Sequence, residues 1–147
     1  MTNKIVTIEA SSSVQEAAKK MRDKSTSSLV VFDSSNKSIG IITERDLVRK
    51  ICASDSSSKN TRVQDILSDA LVTADAISEV GVAADIMIQN KVRHLLVVEG
   101  GDITKPLGII TPTDFVGYLR ENLNMDHVNP KILEFLKEEE AKSDKYE

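Results

Sequence analysis

Apolar residues along this chain fall into short phased sets divided by polar stretches, and the sets occur twice. Val14, Ala17, Ala18 and Met21 have the i, i+3, i+4, i+7 spacing of one helical face. The same face returns as Val80, Ala83, Ala84 and Met87, each 66 residues later. Leu29-Val30-Val31-Phe32, apolar with β-branched members and polar flanks, reads as a buried strand; Leu95-Leu96-Val97-Val98 repeats it at the same offset. Gly40-Ile41-Ile42-Thr43 then returns as Gly108-Ile109-Ile110-Thr111, 68 residues on. The two additional residues fall in the polar turn between strands, where 33–38 is matched by the longer 99–106. A hairpin tip tolerates insertion. Asp46, Leu47, Val48 and Ile51 match Asp114, Phe115, Val116 and Leu119. Two phased helices, two strands and a turn agreeing in order mark an internal duplication.

Each half therefore predicts strand, helix, strand, hairpin, strand, helix. The first strand is expected at Lys4-Ile5-Val6-Thr7-Ile8, and the helix after it opens with Ser13-Val14-Gln15-Glu16, a capping box. The Ser-rich stretch 53–60 reads as an exposed linker, and Val63, Ile66 and Leu67 suggest one helical turn leading into the second half. The expected organisation is residues 1–62 for the first half and linker, 63–125 for the second, and 126–147 for a short helix and a solvated end. In that last part Asn129-Pro130 gives a cap and first helical position, followed by Ile132, Leu133, Phe135 and Leu136 on one face. The predicted fold class is α/β, of the α+β kind, built from two βαββα halves.

Composition narrows the function. Apolar residues make up 40% of the 147, enough for a core, but aromatics are only 3%, so base stacking on exposed rings is disfavoured. A formal charge of −4 lacks the basic excess of a nucleic-acid binder. One cysteine, Cys52, forms no internal disulfide; it follows Leu47, Val48 and Ile51 and is expected as a small buried hydrophobe. Two histidines and one cysteine give no metal-site spacing. Nothing approaches the ~18 apolar residues of a membrane span, no signal-peptide run opens the chain, and a cytoplasmic setting is expected. No P-loop or dinucleotide glycine pattern occurs, and Gly100-Gly101 is more simply a hairpin turn.

The pointed local signal is Gly-Ile-Ile-Thr-x-x-Asp, at Gly40 to Asp46 and again at Gly108 to Asp114. A strand ends in Thr and a helix begins at once. Such a junction offers unpaired amides to an anion, and the Asp can accept two hydrogen bonds from a ribose diol. The plainer reading is a capping box in which Thr and Asp only finish the helix, with Pro112 at a first helical position. The two halves differ in their cations. Arg45 stands where the second motif has Thr113, and Arg93-His94 stand where the first half has Ser27-Ser28. Arg holds phosphate bidentately, but which cleft each cation serves stays open. His94 is as readily a hydrogen-bonded structural residue, His127 has no neighbour that assigns it a role, and Arg45 and Arg49 also fit a solvated face.

With the duplication and motifs in place, residues 4–123 resemble a tandem pair of CBS domains, carried by Thr43-Glu44-Arg45-Asp46-Leu47 and Val92-Arg93-His94-Leu95. The resemblance implies two halves packed sheet to sheet about a pseudo-twofold axis. It also implies clefts that bind AMP, ADP, ATP or S-adenosylmethionine. Asp46 and Asp114 would then bind ribose, Thr43 and Thr111 would lie near ribose or phosphate, and Thr7-Ile8 and Thr73-Ala74 would line the base pocket through backbone. The expected role is a regulatory module, not an enzyme, working as a homodimer or through an unidentified regulated protein. A non-binding scaffold dimer is the alternative.

Overall fold

The computed structural model describes residues 5–67 and 70–122, together with Glu134 and Glu138. The predicted C-terminal helix lies outside these, apart from Glu134 and Glu138, which are helical. The elements are β1 (Thr7–Glu9), α1 (Val14–Lys24), β2 (Ser28–Phe32), β3 (Ser38–Thr43), α2 (Glu44–Leu47), a π-helical turn (Val48–Cys52) and α3 (Val63–Ile66). Then follow β4 (Thr73–Asp75), α4 (Val80–Asn90), β5 (Leu95–Val98), β6 (Pro106–Ile110) and α5 (Pro112–Asn122). The chain forms two compact units, Met1–Pro112 and Thr113–Glu147.

The first unit holds two three-stranded sheets, β1-β2-β3 and β4-β5-β6, each with one parallel and one antiparallel pairing. Their registers are the same. Thr7 faces Val30 as Thr73 faces Leu96, and both β2 and β5 carry an irregularity just before their last residue. The helices end alike too: Ser25 (φ 51°) and Lys91 (φ 54°) take the left-handed conformation that closes a helix C-terminus. The duplication read from the sequence is thus a duplication of backbone hydrogen bonding.

The halves are joined by exchange of helix-start amides. Val14 and Gln15 N–H groups, without partners inside α1, donate to the Thr61 and Ser58 carbonyls at 2.9 Å. In return Val63 and Gln64 at the start of α3 donate to Ser12 and Ala10 carbonyls at 2.9 and 3.0 Å. The Ser-rich linker is therefore tied down at its end, although most of its side chains are exposed. One core cluster gathers Val14, Ala17, Met21, Leu29, Ile42, Val63 and Ile66. A second holds Val30 of β2 with Leu96 and Val98 of β5 and Ile109 of β6, so the two sheets pack face to face through these residues.

Three expectations need correction. Ala18 is exposed: α1 buries a narrower face than its spacing suggests. Val80, counterpart of the fully packed Val14, is 41% exposed. Cys52 is exposed, because the π-helical turn spends its buried position on Ile51 and carries the next residue outward. Among the described residues, no helix is long and apolar enough to cross a membrane.

Candidate functional site

A cleft of about 650 Å³ opens in the first unit, within the range that holds a cofactor-sized molecule. Its floor and walls come from four stretches. Ile41 and Thr43 close β3. Glu44, Arg45 and Asp46 begin α2, with Arg49 and Lys50 from the π-helical turn. Ala70, Leu71 and Val72 precede β4, and Lys91, Val92, Arg93 and His94 join α4 to β5. The left-handed residue Lys91 reverses the chain after α4, with the Val92 N–H donating to the Met87 carbonyl at 3.1 Å. That reversal delivers Arg93 and His94 to the cleft edge.

Thr43 and Asp46 form the full capping box. The Thr43 N–H and hydroxyl donate to Asp46 Oδ2 at 2.9 and 3.0 Å, and the Asp46 N–H donates to Thr43 Oγ1 at 3.3 Å. Asp46 Oδ1 faces Lys50 Nζ at 3.6 Å, while that ammonium donates to the Ile66 carbonyl at 2.8 Å. The Glu44 N–H donates to the Ser27 carbonyl at 3.0 Å. The expectation that a helix start would present open amides to an anion therefore fails for Glu44 and Asp46, whose N–H groups are spent within the fold.

His94 is half-buried at the cleft edge. Burial holds its imidazole below the ordinary histidine range, Arg93 adds to that effect, and Asp46 acts the other way. Among the described residues, no group of three or more His, Cys, Asp and Glu side chains could hold a metal ion.

Thr43, Arg45, Asp46, Arg93 and His94 thus line one cleft, so the cations of the second half lie beside the motif of the first. Thr73 and Ala74 lie just beyond the lining stretch, because Thr73 pairs with Leu96 and Ala74 with Val97 in the sheet. Their side chains are half-buried and buried, and Ala70–Val72 take the place expected of them. In β1, Thr7 is exposed and Ile8 is a core residue. Thr111 follows β6, and Thr113 and Asp114 lie in the first turn of α5. Sequence reasoning passed over Lys50 and Lys91 and left Arg49 equally consistent with a solvated face. The one available signal was the spacing of Arg45 and Arg49 on one helical face.

Comparison with known proteins gives a consistent picture. The family model for the CBS domain matches residues 1–53 and 63–121. An uncharacterised 17.7 kDa protein of Acidianus ambivalens is 32% identical over 129 residues, covering 88% of this chain and 76% of that one. A putative signal-transduction protein with CBS domains from Burkholderia ambifaria superposes with a TM-score of 0.72 at 30% identity, covering 83% of this chain and 87% of that one. A hexameric CBS-CP12 protein from bloom-forming cyanobacteria superposes with a TM-score of 0.71 at 26% identity, covering 95% and 80%.

Proposed function

This chain belongs to the CBS-domain family as a tandem pair, and from that premise we propose that it is a regulatory module binding an adenine nucleotide or related adenosyl ligand in the cleft between its halves. The observation that carries the reading is the meeting of Thr43, Arg45 and Asp46 with Arg93 and His94 on one cleft. Asp46 keeps its capping bonds on Oδ2 and offers Oδ1 to a ribose hydroxyl in place of Lys50. Ile41, Leu71 and Val92 supply an apolar surface for the base, and the arginines face the phosphate. The ligand class is AMP, ADP, ATP or S-adenosylmethionine. Thr111, Thr113 and Asp114 belong to the second, differently equipped motif, for which weaker binding is proposed.

The module acts without catalysis, in the cytoplasm, by self-association as a homodimer or through a partner protein. Ligand regulates only through different affinities for two states. The signal-transduction relative and the hexameric relative support an output of this kind.

Isothermal titration with AMP, ADP, ATP and S-adenosylmethionine tests the reading. Saturable binding is expected, falling about tenfold or more in Asp46→Ala. A folded protein that binds none of the four moves the function to the scaffold reading, in which the Thr43–Asp46 box is a cap and nothing else.

A further inference from the structure

We infer that this cleft is selective for a ligand carrying two or more phosphate groups, a nucleoside di- or triphosphate, over neutral or cationic adenosyl compounds; the inference rests on the adenosyl reading above and deepens it. The basis is an imbalance of charge. Arg45, Arg49, Lys91 and Arg93 all line the cleft, and none has a hydrogen bond or ion pair within the described residues. Lys50 is committed to the Ile66 carbonyl and to Asp46. Against the four open cations stands Glu44, while Asp46 is held by Thr43 and Lys50.

A cluster of this sign is unusual on a chain whose formal charge is −4. Four like charges brought around one space repel one another, and an arrangement of this kind gains stability when an anion fills it. The Arg45 and Arg49 guanidinium groups come from the helical segment after β3, and Lys91 and Arg93 from the turn before β5, so the cations approach from two separate segments. A monophosphate brings at most about two negative charges to four cations that come from two segments. A chain of two or three phosphates presents enough oxygens to reach them. S-adenosylmethionine carries a sulfonium cation and meets the same cluster with repulsion. The engaged amides of Glu44 and Asp46 sharpen the point, since the side-chain cations then carry most of the attraction.

The test is a titration series of the full chain with adenosine, AMP, ADP, ATP, S-adenosylmethionine and inorganic tripolyphosphate, at two salt concentrations. Affinity is expected to rise about tenfold from AMP to ADP, and ATP binding is expected to weaken steeply with salt. Arg93→Ala and Arg49→Ala, both at exposed positions, are expected to lower ATP affinity about tenfold more than they lower adenosine affinity. Equal affinity for AMP and ATP, or tighter binding of S-adenosylmethionine, overturns the selectivity while leaving the adenosyl reading intact. Binding of tripolyphosphate with no discrimination for adenosine compounds supports the polyanion site and overturns the adenosyl reading. Binding of none of the six overturns both.

Discussion

Asp46 takes the Thr43 amide and hydroxyl on one oxygen and faces Lys50 with the other, so a single carboxylate both finishes α2 and points into the cleft. Removing it as Asp46→Ala is expected to cost about 1 kcal/mol in denaturant unfolding, the ordinary value of a lost cap, besides the loss of ligand. His94 adds a pH dependence whose sign follows from its burial. The native imidazole takes up a proton less readily than the unfolded one, so the stability it contributes is present above the ordinary histidine value, about 6.5. That contribution is lost as pH falls through the depressed native value. Urea midpoints are expected to decline between neutral and mildly acid pH, and His94→Gln is expected to flatten the decline. Asp46 and Thr43 were legible because a capping box is a local pattern. Arg93 was marked as a candidate cation and Lys91 was not, but that both lie at the cleft of the first motif follows only from the fold.

At the level of the elements, the two halves differ at the starts of their first helices. Ser13 and Glu16 cap α1 reciprocally at 3.1 and 3.0 Å, whereas Glu79 at the start of α4 makes no side-chain capping bond. Glu79→Ser is therefore expected to raise the stability of the protein by about 0.5–1 kcal/mol, read as an upward shift of the thermal midpoint. The helix and strand sets were legible because each half repeats the periodicity of the other. The π-helical turn was not, because Val48, Arg49 and Lys50 carry no residue type that marks a widened turn. Its effect is to send Lys50 toward the Ile66 carbonyl and Cys52 outward.

Across the first unit, the shared cluster of Val30, Leu96, Val98 and Ile109 makes the two sheets one core. Neither sheet buries its inner face without the other. Leu96→Ala, at a fully buried position, is expected to cost about 2–5 kcal/mol. Circular dichroism and hydrogen exchange at the β2 and β5 amides are then expected to report one common unfolding free energy, as a joint core requires. The packing of sheet on sheet was expected from the family resemblance, and the repeat alone gave only two similar halves. The placement of the cleft cations was not, since it depends on which half's turn lies against which half's motif.

The shared register has a consequence for how the chain reaches this state. Thr7 pairs with Val30, 23 residues away, yet Leu96, 89 residues away, offers β1 the same edge in the same register. Closing the shorter loop is favoured by only about 1 kcal/mol. Between two chains even that proximity vanishes, so a strand of one copy is a ready substitute for its twin in another. Each half is thus a template for the other, and concentrated refolding invites exchange of halves between molecules. Side-chain differences between the halves, such as Phe32 against Val98, are what keep the correct strand in its place.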